Sequence, residues 1–224
     1  MDDLPYAFFD QLVSHLSRGT ASLLRYSNHS IVSNLSQTYV QNYRAFRFVL
    51  MQLEDTEELR WGLIEISLLD QENCTSVKLQ DLKRHDRIEE VLMYQEGEYV
   101  KYGELEPIKY KISEAELPQL FKAVFSFVAK LSVYGCYLHE AQEALVSLPK
   151  DLIIQCSELD ISYVGPESDQ VLGQIDLLNL VNCSLLDFPQ TTHPKIADVI
   201  HNSKVIESLE LFGVNQKAFK GREF

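Results

Sequence analysis

The chain has 224 residues, of which 33 are Asp or Glu and 20 are Lys or Arg, so its formal net charge is −13. Apolar residues make up 46%, and only 9 Gly and 7 Pro are present, which fits one large or two small globular domains and excludes collagen-like and low-complexity chains. The excess of acid repels nucleic-acid phosphates and anionic lipid, so neither nucleic acid nor a membrane is an expected partner.

Residues 1–50 read as helical. Leu4, Phe8, Phe9, Leu12, Val13 and Leu16 recur at three- and four-residue steps and form one broad apolar face. Gly19 is a stop signal, and Thr20 is a candidate cap for a short helix carrying Leu23 and Leu24. Ser30 is a candidate cap for a third helix with Ile31, Leu35, Tyr39 and Tyr43. Helices this short bury too little to stand alone and need the rest of the chain or a partner. Over 59–112 the apolar clusters Leu59–Leu69, Val77–Leu82, Val91–Tyr94, Tyr99–Tyr102 and Ile108–Ile112 alternate with turn-like polar stretches, which predicts short, mostly antiparallel strands with an acidic outer face. Trp61 belongs to a core or sheet face. From 113 onward helical and strand-like segments alternate: Ser113 with Glu114 and Glu116 opens a helix over 113–129, and 139–148 and 195–202 are further helices. That alternation points to βα units with a parallel sheet.

No apolar run reaches the roughly 18 residues of a membrane span. The Met1-Asp2-Asp3 start is unlike the basic start of a secretory signal, so the expected compartment is cytoplasmic or nuclear. Cys74, Cys136, Cys156 and Cys183 show no zinc-type spacing and are expected as free thiols. The N-x-[ST] sequons at Asn28, Asn34, Asn73 and Asn182 are accidental in such a compartment. Nucleophile elbows, zinc-protease motifs, P-loops and dinucleotide fingerprints are all absent from the sequence. His139 with Glu140 and Glu143 reads as a solvated helix face, and the acidic stretch Glu89–Glu106 as a solubilising sheet face. No catalytic residue, cofactor or metal is expected.

A short pattern repeats. Val128, Leu131, Val133, Cys136 and Leu138 fit every defined position of L-x-x-L-x-L-x-x-N/C-x-L, as do Ile175, Leu178, Leu180, Cys183 and Leu185. Two weaker copies run Cys156, Leu159, Ile161, Val164 and Ile206, Leu209, Leu211, Val214. The second leucine positions (131, 159, 178 and 209) stand 28, 19 and 31 residues apart. This resembles an irregular leucine-rich repeat, in which L-x-L is a short strand, Cys136 and Cys183 are buried at the following bend, and stacked units hide one another's apolar faces.

The N-terminal segment Leu4-Pro5-Tyr6-Ala7-Phe8-Phe9-Asp10-Gln11-Leu12-Val13-Ser14-His15-Leu16 resembles the opening of an F-box, roughly L-P-x-E-L-L-x-x-I-L-x-x-L. The polar break Ser17–Ser22 followed by Leu23 and Leu24, then Ile31, Val32 and Leu35, resembles the family's second and third helices. Ala7 stands where the family carries an acidic residue, and the C-x-x-W-type signature of the third helix is missing. The resemblance covers about residues 3–45, and its combination with the repeat is similar to the expanded F-box families of nematodes.

The resemblance implies an α/β protein with a three-helix F-box-like N-terminal head (1–50). A β-rich middle and an irregular leucine-rich-repeat-like βα array (51–224) would come next and bind substrate. It implies a non-enzymatic substrate-recognition subunit of an SCF-type (Skp1-cullin-F-box) ubiquitin ligase. Such a subunit binds a Skp1-like adaptor, and through it a cullin, and holds a target protein with the rest of the chain. The adaptor surface would comprise Leu4, Pro5, Phe8, Phe9, Leu12, Val13, Leu16, Leu23 and Leu24. The same pattern also suits helices packed on the chain's own sheet, and a non-catalytic binding or inhibitor module with a vestigial F-box is the alternative.

Overall fold

The structure is a computed structural model and describes residues 6–14, 18–68, 76–96, 108–128, 130–149, 154–176, 180–189 and 208–212. Three helices come first: α1 (Tyr6–Ser14), α2 (Arg18–Leu24) and α3 (Ser30–Asn42). Strands β1 (Arg44–Gln52), β2 (Leu59–Glu65), β3 (Asp86–Gln95) and β4 (Tyr110–Ile112) are next. Then come α4 (Leu117–Phe125), β5 (Val133–Cys136), α5 (His139–Val146), β6 (Ile154–Gln155), β7 (Glu158–Ser162) and α6 (Pro166–Gln174). The last described strands are β8 (Ile175–Asp176), β9 (Asn182–Leu186) and β10 (Ser208–Phe212).

The fold is mixed α/β. Eight strands form one sheet in the order β10-β9-β7-β5-β3-β1-β2-β4, and β6 pairs with β8 separately. Only β1–β2 and β2–β4 are antiparallel; the neighbours from β1 through β10 are parallel. The parallel strands of this sheet therefore lie side by side in chain order.

Residues 44–50, expected as helix, form most of β1, a central strand, so a boundary after residue 50 falls inside it. Phe46, Phe48 and Leu50 are buried on one face while Val49 and Met51 are buried on the other. A strand buried on both faces shows a continuous apolar run, which periodicity does not separate from a buried helix. Val77–Leu82 is not a strand. A single 3-10 turn at Leu79–Asp81 lies there, held by the Val77 amide donating to the Leu63 carbonyl at 2.7 Å. Tyr99–Tyr102 and 195–202 lie outside the described residues.

The repeat is present in the strands but in a different register. Phe48, Val91, Tyr134, Leu159, Cys183 and Leu209 align across the sheet, and Leu50, Met93, Cys136, Ile161, Leu185 and Leu211 form the next row. From β5 onward the spacing in the first row is 25, 24 and 26 residues. Three residues before that row stand Ile88, Leu131, Cys156 and Leu180, each wholly buried. Each unit is thus Φ-x-x-Φ-x-Φ, where Φ is apolar. Cys156 and Leu209 fall in the expected register. The two fullest sequence matches are offset: Leu131, not Val128, opens its unit, and Leu180, not Ile175, opens the other. Cys136 and Cys183 consequently sit within strands rather than at bends.

A three-residue step cannot keep two side chains on one face of a regular strand, whose period is two. A kink supplies the odd residue. In β3 it is a bulge at Glu89, where the pairing to β1 jumps from Ile88 to Glu90. In later units the kinked backbone bonds to its neighbour. Leu131 donates to the Gln155 carbonyl at 2.7 Å, the Ser157 hydroxyl donates to the Leu131 and Ser132 carbonyls, each at 3.0 Å, and Val181 donates to the Ser157 carbonyl at 2.8 Å.

From β1 to β9, helices cover the face to which these rows point. Leu117, Leu120, Phe121, Val124 and Phe125 of α4, Ala141, Ala144 and Leu145 of α5, and Val171 and Leu172 of α6 join the rows in one core. Before α4, the Ser113 amide donates to Glu116 Oε2 at 3.1 Å, the reciprocal half of a capping box. The wholly buried Gln142 on α5 donates from Nε2 to the carbonyls of Cys136 at 3.2 Å and Ser162 at 2.9 Å, tying together the ends of β5 and β7. Trp61 is half-buried on the sheet face, its ring 4.9 Å from that of Tyr110. No helix among the described residues is long and apolar enough to cross a membrane.

Two predictions test this packing. Leu50→Ala or Ile161→Ala, each opening a cavity in a row, costs about 3–5 kcal/mol by urea unfolding. Burial pushes the Cys136, Cys156 and Cys183 thiols from 9.0 up to about 12. The unfolded chain loses those protons first, so stability falls as pH rises past 9, seen as a lower urea midpoint at about pH 10. Iodoacetamide labels the three thiols only after unfolding.

Candidate docking site on the N-terminal helices

Helix α1 divides its apolar residues between two sides. Phe9 and Val13, one turn apart, are buried with Ala21 of α2 and Leu35 and Tyr39 of α3, and together they form the head's own core. Ala21 has no bulk beyond Cβ and is fully buried where α2 meets α3. The loop into α3 is tied by two serines: the Ser27 hydroxyl accepts from the His29 amide at 3.2 Å, and the Ser33 hydroxyl donates to the Arg25 carbonyl at 2.5 Å. His29, not Ser30, is the residue before the first helical turn of α3, and Gly19 and Thr20 lie within α2 rather than at its boundary.

Other large apolar side chains of the head are left exposed. Phe8, Leu12, Leu23, Tyr6 and Tyr26 are the exposed large hydrophobics of the described residues, from 44% exposure at Leu12 to 74% at Leu23. Phe8 packs edge-on against Phe9 with centroids 5.6 Å apart. Of the residues expected to form a contact surface, Phe8, Leu12 and Leu23 are exposed and Leu24 is half-buried. Phe9 and Val13 instead fill the interior, because a helix packed on two neighbours must bury one stripe in them. Leu4, Pro5 and Leu16 lie outside the described residues. Sequence reasoning missed Tyr6 and Tyr26; Tyr6 falls inside the Leu4–Leu16 run but off its three- and four-residue steps, and Tyr26 just past the end of α2.

Polar and aromatic contacts hold the head to the start of β3. Arg84 pairs with Asp10, and the Tyr43 hydroxyl donates to the Glu89 carboxylate. The Tyr39 ring lies 5.5 Å from His85, and the Arg87 guanidinium lies 5.7 Å from the Tyr39 centroid. Burial, then the hydrogen bond to Glu89, raises the Tyr43 pKa. Burial, then the charges of Arg84 and Arg87, lowers that of His85. Below this joint Asp86 is fully buried. It accepts from Arg44 Nε at 3.0 Å and Nη2 at 2.5 Å, and from the Lys83 amide at 2.6 Å. Glu89 and Glu90, expected on a solvated face, are thus engaged in the joint and in an ion pair with Arg47.

The described residues of the head thus expose aromatic and aliphatic side chains on α1 and around the end of α2. Among the described residues, no three His, Cys, Asp or Glu converge as metal ligands. His139 and Glu143 form an exposed pair at 3.5 Å on α5. The chain matches no protein-family model, no curated protein and no solved structure.

Arg44→Ala leaves the Asp86 carboxylate buried with one backbone donor. It is expected to cost about 3–5 kcal/mol in chemical unfolding, well beyond the loss of an exposed ion pair.

Proposed function

We propose that this chain is the substrate-recognition subunit of an SCF-type ubiquitin ligase. The head binds a Skp1-like adaptor, and through it a cullin, and the strand–helix array holds a target protein. The observation that carries this reading is that Phe8 and Leu12, one turn apart on α1, stay exposed, as do Tyr6, Leu23 and Tyr26, on a head that already has its own core. Aromatic and aliphatic side chains left outside a satisfied core are what a helix-in-groove partner anchors on. The array supports the second half of the reading: parallel strands in chain order, units of 24–26 residues and helices on one face are features of a leucine-rich-repeat-like scaffold. No covalent step is assigned to the chain; ubiquitin transfer belongs to other subunits.

A second reading, a non-catalytic binding or inhibitor module with a vestigial F-box, is favoured by Ala7. It is exposed on α1 where the F-box pattern carries an acid.

Co-purification with a Skp1-like adaptor separates the two. The first reading expects a 1:1 complex on size exclusion, and a monomer that ignores the adaptor leaves the second. In the first case Phe8→Asp and Leu12→Asp abolish the complex while the fold persists, each at a cost of about 1 kcal/mol. Phe9→Asp, placing a charge in the head's core, destabilises the head itself and is the contrasting control. If Phe8→Asp and Leu12→Asp unfold the chain, these side chains are core and the adaptor site is lost.

A further inference from the structure

The sheet face away from the helices changes character along its width. Across β1, β2 and β3 it is sealed by buried Val49, Met51, Ile64, Leu92 and Tyr94. From β5 to β10 it opens. Gly135, Asp160, Ser184 and Glu210 align in one row, with Glu158 and Asn182 paired in the row beside it. These residues border a groove of about 260 Å³ whose apolar end is Leu92 and Val133. Gly135 leaves the floor bare beside Asp160. A Cβ there would meet Leu92 Cδ2 and the Tyr137 ring at 3.5 Å, which is ordinary contact, so the space is open rather than forbidden.

Glu158, Asp160 and Glu210 contribute three carboxylates to the groove, and among the described residues no Lys or Arg lines it. Among the described residues none of the three takes part in an ion pair. Asp160 Oδ1 is removed from solvent yet accepts no hydrogen bond. A row of carboxylates with no cation beside it gives the groove a negative potential that attracts a cationic segment. Asp160 and Glu210 stand on strands separated only by β9, about 10 Å by strand spacing. A polyproline-II segment returns to the same face every third residue, about 9 Å along its length.

We propose that this open face captures an extended basic segment of a partner protein, with one Lys or Arg on Asp160, a second on Glu210, and an apolar residue over Leu92 and Val133. Binding itself uses none of the head, so the capture rests on the ubiquitin-ligase reading only for the fate of the captured partner.

The test uses the full chain and a fluorescein-labelled peptide of repeated Lys-Pro-Pro, read by fluorescence polarisation, with a Glu-Pro-Pro peptide as control. Binding to the Lys peptide alone is expected, and it weakens about tenfold or more in the Asp160→Asn/Glu210→Gln variant. Gly135→Val fills the floor without touching charge and is expected to weaken binding comparably. Glu114→Gln/Glu143→Gln removes the same number of charges outside the groove and is expected to leave affinity within about twofold. Thermal unfolding of each variant checks that it is folded. Equal losses in the Asp160/Glu210 and Glu114/Glu143 variants, or unchanged binding in the Asp160/Glu210 and Gly135 variants, overturn the proposal. Phe8→Asp retains peptide binding whether or not it binds an adaptor, so the two readings fail separately.

Discussion

Everything in the array depends on one geometric conflict. Each unit places its first buried side chain three residues before the second and the second two before the third, although strand side chains alternate with period two. The chain resolves this with a kink between the first and second buried positions of a unit. Because the kinks fall at the same level, Ile88, Leu131, Cys156 and Leu180 form their own buried layer beneath the strand rows. The freed backbone groups are then bonded by the adjacent unit. A kink in one unit is satisfied only when its neighbour is in register, and this makes the array cooperative from strand to strand.

That same constraint decides what the two sheet faces can do. Committing the rows to the helices leaves the opposite face with residues the core does not need. At the β1–β3 end they are apolar and close over one another. At the β5–β10 end they are Gly, Ser, Asn and acids, and the face stays open. Binding surfaces on repeat folds arise in this way, since the residues between core positions are free of packing requirements.

The head is divided in a similar way. Phe9 and Val13 of α1 go to its own core, and Phe8 and Leu12 remain outside with Leu23 and two tyrosines. Its connection to the sheet runs through Tyr39, Tyr43 and the charged residues around Asp86, so the head is held to the sheet by side-chain contacts. The exposed Phe8, Leu12 and Leu23 are apolar and the groove is acidic, and both sit on a body whose net charge is −13. The two proposed surfaces differ in chemistry, so the partners proposed for them differ too: an apolar helix face for one and a cationic segment for the other.

The sequence by itself determined the class of the fold, the three N-terminal helices and α4 to α5, and the existence of a repeat. These are local: helical periodicity, the Ser113–Glu116 cap and the Φ-x-Φ pairs are properties of neighbouring residues. Only the tertiary structure decided the register, the strand nature of residues 44–50 and the division of the head's apolar residues between inside and outside. Val128 and Leu131 are both apolar, as are Ile175 and Leu180, and permissive positions let a match slide by three or five residues; pairing to the adjacent strand fixes which one opens the unit. Phe8 and Phe9 are adjacent and chemically alike, and only the placement of α2 and α3 makes one a core residue and the other a surface. The groove was illegible for the same reason: Asp160 and Glu210 are fifty residues apart in the chain and come into one row only when β7, β9 and β10 align.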